Sequence, residues 1–323
     1  MSASPAGLTP GRFDYRQAVD YLYSLGWELK SAKFGLEGIR ALVRRLGDPQ
    51  HAVPAVQVAG TNGKGSVSAM IASGLRAAGL STGLYTSPHL IEPVERIACN
   101  GGSCPPEEFA AAFEAIHQAN LELLEEGQLE HHTTFFECVT AMAFWLFRRW
   151  EMEWAVLEVG LGGRLDATTV ADPRLAVITR VDLDHEKILG PDVGTIAGEK
   201  AGILKPGATA VFAPQRPEAA AVLRARAAEL QVRVIEAGDW KPEQIQVERN
   251  SGRIRLADPV LVDLWVPLRG AHQVENAITA AAALHTLAVP APAIEAGTAA
   301  TRWPGRLAQL GTDPDIPADG APT

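Results

Sequence analysis

The chain of 323 residues is short of cysteine, short of positive charge and free of long apolar runs. Its three cysteines, Cys99, Cys104 and Cys138, are odd in number and lack metal-ligand spacing. That sets aside a disulfide scaffold or a zinc module and suits a reduced, cytoplasmic setting. The formal net charge is −9, so the basic surface of a nucleic-acid binder is missing. A local basic pocket for an anionic substrate is the option that remains. No apolar stretch approaches the roughly 20 residues that span a bilayer. Met1 to Gly11 lacks the basic and apolar regions of a signal peptide, and no internal repeat is visible. Apolar residues make up 47% of the chain, enough to build the core of one large domain or two smaller ones.

The most informative stretch runs from Val56 to Val67, Val-Gln-Val-Ala-Gly-Thr-Asn-Gly-Lys-Gly-Ser-Val. A Val-rich run reads as a buried strand, and an Ala/Ser-rich helical pattern follows to Gly79. Between them lie Gly60, Gly63 and Gly65, with Lys64 among them. Glycines that turn N–H groups inward, a helix N-terminus and a lysine form a phosphate cradle. The spacing departs from G-x-x-x-x-G-K-[ST], because the hydroxyl of Ser66 comes one residue late. A plain structural turn is the competing reading.

The remaining pattern alternates strands and helices. Helices are expected over Tyr15–Leu25, Leu36–Leu46, Pro106–Glu126, Thr134–Trp150, Pro217–Leu230, His272–Leu287 and Pro290–Ala300. Strands are expected over Ser81–Tyr85, Trp154–Val159, Leu175–Val181, Thr209–Ala213 and Val232–Glu236. Residues 243–268 alternate like a hairpin around Asn250-Ser251-Gly252. The alternation predicts an α/β fold with a parallel sheet, whose C-terminal edge is the ligand side.

Several residues at that edge carry chemistry. Ser87 follows the second strand and could cap a helix or ligate a metal. Glu158 sits inside an apolar strand, where a carboxylate is costly unless it is paired or metal-bound. His185 follows Asp184 after a third strand. Hydroxyl, carboxylate and imidazole at successive strand ends suit Mg2+, completed by water and phosphate oxygens. Thr134 and Glu137 have capping-box spacing, so Glu137 reads first as a helix cap. His131-His132 could suggest a metal, but adjacent residues on an irregular segment rarely both ligate. Lys200, next to Glu199, reads as an exposed lysine in an ion pair.

The ordered set of motifs resembles the folylpolyglutamate synthase/dihydrofolate synthase family of the Mur ligase superfamily. The residues that carry the resemblance are Ala59 to Ser66, Tyr85 to Leu90, Thr134 to Glu137, Leu157 to Ala167, Asp184-His185 with Leu189-Gly190, Glu199 to Ile203, His272 to Asn276 and Pro304 to Arg306. The fold implied is a P-loop-type parallel sheet flanked by helices, the Mur ligase ATPase domain, over residues 1–301. Residues 302–323 would be a linker and the start of a truncated second domain. Asp319-Gly320-Ala321 begins a family motif that Pro322-Thr323 does not complete, and Thr169 stands where the family usually has Asn.

The activity implied is an ATP-dependent ligase that joins L-glutamate to a pterin carboxylate, of dihydropteroate or a reduced folate, through an acyl phosphate. Gly60, Thr61, Asn62, Gly63, Lys64, Gly65 and Ser66 would hold the phosphates, with Asn276, Arg306 and Asp319 as further nucleotide contacts. Ser87, Glu158 and His185 match the magnesium ligands. Lys200 matches a lysine that is carbamylated and helps hold a second ion, which reverses its bland reading. Lys64, Lys200 and His185 would serve catalysis. Thr134, Phe135, Phe136, Glu137, Leu165, Asp166 and Ala167 match the pterin pocket. The expected partners are small molecules (ATP, pterin or folate, L-glutamate), with no nucleic acid or membrane, acting on a monomer. A truncated nucleotide-binding remnant and a generic P-loop ATPase are the alternatives. The stretch ahead of Val56 is too short for the uridine-nucleotide domain of a cell-wall Mur ligase.

Overall fold

The computed structural model of the chain describes residues 13–26, 35–247 and 251–305. Local rules account for most element ends. Helix α1 (Tyr15–Ser24) starts at Asp14, which forms a reciprocal capping box with Gln17. Helix α2 (Glu37–Arg45) buries Ile39, Leu42 and Val43, with an acid in its first turn and arginines in its last. Strand β1 (Ala55–Ala59) is buried along its whole length and leads through the glycine loop into α3 (Lys64–Ala77). Strand β2 (Thr82–Tyr85) precedes a short antiparallel pair, β3 (Ile97–Cys99) and β4 (Gly102–Ser103).

Helix α4 (Pro106–Glu125) opens on proline, and α5 (Phe135–Arg149) opens on the Thr134/Glu137 capping box expected from the sequence. Then come β5 (Trp154–Glu158), β6 (Leu175–Ile178), the single turn α6 (Glu186–Leu189) and α7 (Val193–Lys200). Strand β7 (Thr209–Phe212), helix α8 (Pro217–Glu229) and strand β8 (Arg233–Glu236) complete the alternation. Strands β9 (Pro242–Val247), β10 (Gly252–Leu256) and β11 (Val262–Val266) form a separate antiparallel sheet. Helices α9 (His272–Thr286) and α10 (Ala291–Ala300) follow.

The main sheet has eight strands in the order β4-β3-β2-β5-β1-β6-β7-β8. From β2 to β8 along the sheet neighbouring strands are parallel, and the β2–β3 and β3–β4 pairs are antiparallel, so β3 alone runs against the rest. The expected α/β parallel sheet is therefore present, with β1 at its centre. Side chains that alternate along β1 feed different layers. Val56 and Val58 join the core built with α3, α9, α10 and the small sheet. Ala55 faces the core of α1, α2, α4 and α5, and Ala59 faces that of α7 and α8. In register, Val58 pairs with Glu158 of β5 and Ala59 with Ile178 of β6. Three loops thus leave the sheet side by side, beginning at Gly60, Val159 and Thr179. Among the described residues, no helix is long and apolar enough to cross a membrane.

Candidate active site

The glycine loop is held from four directions. Thr61 and Asn62 both donate their N–H to the Arg180 carbonyl, at 2.9 and 3.2 Å. The Thr61 hydroxyl donates to the Asp182 carbonyl and accepts from the Asp182 N–H. Those two amides are spent on holding the loop, so fewer N–H groups remain without a partner than the sequence suggested. They are the first-turn N–H groups of α3, from Gly63 to Ser66, which have no intrahelical acceptor. Gly63 caps the helix at φ +89°, and a Cβ there would lie 2.3 Å from the Asn276 amide oxygen. Glycine is required on both counts. Behind it, buried Gln273 accepts from Asn276 Nδ2 at 3.0 Å and donates to the Ser66 hydroxyl at 3.3 Å. Gln273 was missed in the sequence, where a glutamine in a helix's first turn looks solvent-facing. Arg306 and Asp319 lie outside the described residues.

The two lysines meet beneath this loop. Lys64 Nζ donates to the Gly60 and Thr61 carbonyls, at 3.0 and 3.3 Å. Lys200 Nζ donates to the same Gly60 oxygen at 2.9 Å. Lys200 is 3% exposed, so the exposed-lysine reading fails; Glu199 instead pairs with Arg164. Burial, and then the charge of Lys64, push the Lys200 pKa down to about 7, against the pull of Asp184 and Asp166. A buried lysine whose pKa falls to about 7 is a nucleophilic amine in the fraction that has lost its proton.

Beside the loop lies a cavity of about 510 Å³. Its walls include Ser87, Pro88, Thr134, Phe136 and Glu137, then residues 160–167, then His185, Ile188 and Leu189. Leu165, Asp166 and Ala167, which the family resemblance assigns to a pterin pocket, line this cavity. Phe135 is not. Its ring turns into the core, stacked on Tyr23 at 5.7 Å and covered by the Arg96 guanidinium at 4.9 Å. Glu137 combines two roles. Its carboxylate accepts from the Thr134 N–H and hydroxyl, as a cap should, and also from the Ile39 N–H of α2 at 3.1 Å.

Asp166 shapes the opposite wall. One carboxylate oxygen accepts from the Gly160 and Leu161 N–H groups, at 2.9 and 3.0 Å. The other accepts from the Thr168 N–H and hydroxyl. Burial pushes the carboxyl above the usual carboxylate range, and these four donors oppose that rise. Its lone pairs are therefore committed to the turn, which makes it a builder of the cavity. Thr168 and Thr169 pass the link on to Gln57 in β1, whose Nε2 donates to both hydroxyls. Thr169 also donates to the Gly163 carbonyl, so the departure from the family's usual Asn is filled by a hydroxyl that closes the turn.

Glu158 ends β5 and is 3% exposed. The Ser87 N–H donates to its Oε2 at 3.2 Å, which brings the two together. His185 is about half exposed, has a left-handed backbone (φ +48°) and lines the same cavity. Among the described residues, no group of three or more His, Cys, Asp or Glu converges as a metal centre. A hydroxyl, one carboxylate and an imidazole form a sparser, mostly hard set. That chemistry fits Mg2+, which keeps waters and phosphate oxygens in its shell. The His131-His132 pair forms no such centre; His132 Nδ1 lies 2.9 Å from the Thr133 carbonyl instead.

The Mur ligase middle domain matches residues 58–284. The chain is 38% identical to a probable bifunctional folylpolyglutamate synthase/dihydropteroate synthase of Halobacterium salinarum, over 95% of this chain and 38% of that one. It is 36% identical to the folylpolyglutamate synthase of Lacticaseibacillus casei, over 95% of this chain and 73% of that one. It thus spans under two-fifths of the first relative's length and nearly three-quarters of the second's. A solved FPGS-AMPPCP-folate complex superposes with a TM-score of 0.85 at 35% identity, covering 92% of this chain and 74% of that one. Phosphate-loop sheet, paired lysines, cavity and sequence agree: the chain belongs to the folylpolyglutamate synthase/dihydrofolate synthase family of Mur ligases.

Proposed function

We propose that the chain carries the ATP and pterin sites of a ligase that joins L-glutamate to the carboxylate of dihydropteroate or a reduced folate. The observation that carries this reading is one sheet edge that combines an anion cradle over two lysines with a cavity roomy enough for a bicyclic ring. The relatives' names, and neighbours solved with AMPPCP and folate, support it.

The terminal phosphates of ATP rest on the amides of residues 63–66, where the dipole of α3 and the charge of Lys64 offset their charge. The pterin fills the space between Phe136 and the 160–167 turn, with its carboxylate facing the γ-phosphate. Attack of that carboxylate oxygen on the γ-phosphorus gives an acyl phosphate and ADP. The glutamate amine then attacks the acyl carbon, and phosphate leaves from the tetrahedral intermediate. Orientation is the main contribution of the protein to both steps. Ser87, Glu158 and His185 would hold Mg2+, which offsets phosphate charge when bound. Lys200, as a neutral amine, is suited to take up carbon dioxide and become an anion in the same site. Asn276 serves the nucleotide side by fixing Gly63. A cytoplasmic monomer, divided near residue 301, completes the proposal.

The test is phosphate release from ATP and Mg2+ with glutamate, in parallel with dihydropteroate, tetrahydrofolate or no pterin. Release that needs both glutamate and a pterin supports the ligase and identifies the acceptor. Release regardless of either points to a plain ATPase, and no release from a sample that binds ATP points to a binding remnant. In an active sample, Glu158→Ala and His185→Ala should each abolish turnover; near-normal activity in either sinks the metal assignment.

A further inference from the structure

The loop spells Gly63-Lys64-Gly65-Ser66, with a second glycine inside the first turn of α3. Glycine at a helical position costs about 1 kcal/mol relative to alanine. Backbone conformation does not call for it here, since Gly65 is absent from the positive-φ residues of the described chain. Space does. A Cβ on Gly65 would lie 2.9 Å from Cζ2, 3.0 Å from Nε1 and 3.1 Å from Cε2 of Trp303. The indole lies flush on the bare backbone of the phosphate helix.

Trp303 is half-buried and held on its inner side. Its other contacts are with the core shared by α3, α9 and α10. It comes two residues after Thr301, whose N–H and hydroxyl are tied back to the Thr298 and Gly297 carbonyls at the end of α10. That helix meets α3 again at Gly74, where a Cβ on Gly297 would be 2.4 Å from the Gly74 Cα. The two contacts, Gly74 with Gly297 and Gly65 with Trp303, descend together along antiparallel helices. The first turn of α3 is therefore gripped by Asn276 at Gly63, by Trp303 at Gly65 and by Gln273 at Ser66.

We propose that Trp303 is a positioning residue for nucleotide phosphates: its indole, seated on Gly65, fixes the first turn of α3 so that the amides of residues 63–66 converge on a nucleoside di- or triphosphate. The proposal rests on the reading of this loop as a phosphate site. It also accounts for the delayed hydroxyl, because the residue after Lys64 must be glycine wherever an indole occupies that space.

The experiment is a double-mutant cycle on the full chain, read as ADP affinity by titration calorimetry well below the melting temperature. Trp303→Ala weakens ADP binding about tenfold, which corresponds to about 1.4 kcal/mol. Trp303→Phe, which keeps a ring on Gly65, recovers most of the loss. Gly65→Ala weakens binding in the parent but adds little in the Trp303→Ala background, because the clash has gone. Additive losses, or Trp303→Ala binding ADP within about twofold of the parent, overturn the proposal; a side chain that merely filled the core would lower the melting temperature and leave affinity alone. If Trp303→Ala does not fold, the Trp303→Phe and Trp303→Leu pair decides, with Leu expected to bind ADP more weakly. A parent that binds no ADP overturns the phosphate reading itself. A parent that binds while all variants bind equally overturns only the role of Trp303.

Discussion

Arg96 donates its Nε–H to Nδ1 of His89 across 2.9 Å, and His89 Nε2 lies 3.2 Å from the Tyr23 hydroxyl. An arginine can only donate, so Nδ1 is the bare nitrogen and Nε2 carries the hydrogen that faces Tyr23. One imidazole therefore ties α1 to the turn that carries Ser87 and Pro88. The other end of that turn is fixed by Glu95. Burial works against its charge, but the N–H groups of Leu90, Ile91 and Glu92 together hold its carboxyl below the usual range.

His89→Ala removes an acceptor from a guanidinium that is 3% exposed. The expected loss is about 1–3 kcal/mol in urea unfolding. His89→Asn, which can present an amide oxygen near the same place, should recover part of it. Nitrogen-15 NMR of the parent should show one histidine with a bare Nδ1 whose signals vanish in His89→Asn. An Nδ1-protonated His89 contradicts the assignment.

Lys200 gives stability a pH dependence of definite sign. Its folded pKa of about 7 lies below the unfolded value of about 10.4. Between those values the unfolded chain holds a proton that the folded chain has shed, so the lysine's contribution improves as pH rises. The penalty is complete below about pH 7 and fades towards pH 10. Lys200→Met, which removes it, should raise the midpoint of urea unfolding at pH 7 by clearly more than at pH 10. Equal gains at both pH values refute the depressed pKa.

At the α3–α10 crossing, Gly297→Ala sets a methyl against the Gly74 backbone, which cannot rotate away. The expected cost is about 1–3 kcal/mol, or more if α10 is displaced. Gly79→Ala is a suitable contrast. No heavy atom lies within 4 Å of its added Cβ, but at φ +84° it should cost only about 1 kcal/mol, from backbone strain. Thermal melts that rank the two in the opposite order contradict the close approach.

The thiols should be unequal. Burial pushes Cys138 up to about 12 and Cys104 higher still, while Cys99 is raised and only partly buried. Iodoacetamide on the native protein at pH 8 should label Cys99 slowly and the other two not at all until denaturant is added. Mass spectrometry of the digests reads this directly. Early labelling of Cys138 shows that α5 opens locally.

Much of this architecture is legible in the chain because its signals are local. Val56 to Ala59 is a Val-rich run that is buried throughout, Thr134 and Glu137 have cap spacing, and prolines start α4, α8 and α10. Glu158 stands out as an acid in an apolar strand, and it is buried as that position predicts. What escapes local reading depends on approach between distant segments. Lys200 looks exposed beside Glu199 until α7 brings it under Gly60, 140 residues away. Asp166 looks like a pocket group, but its oxygens are committed to its own turn. Trp303 reads as part of a turn, and only its seat on Gly65 gives it meaning.

The bare contact between α3 and α10 has a mechanical consequence. Most packed helices are separated by side chains that can change rotamer and absorb a small shift. Where Gly74 meets Gly297 there is no such cushion, only main chain on main chain. A displacement of one helix there passes to the other undiminished, since close-packed interiors compress little. The two helices act as a single strut, with Lys64 at the start of α3 and Thr301 at the close of α10 brought to the same end of it. A shift of Thr301 along that axis therefore moves the first turn of α3 with it, and the lysine loop cannot be displaced without α10.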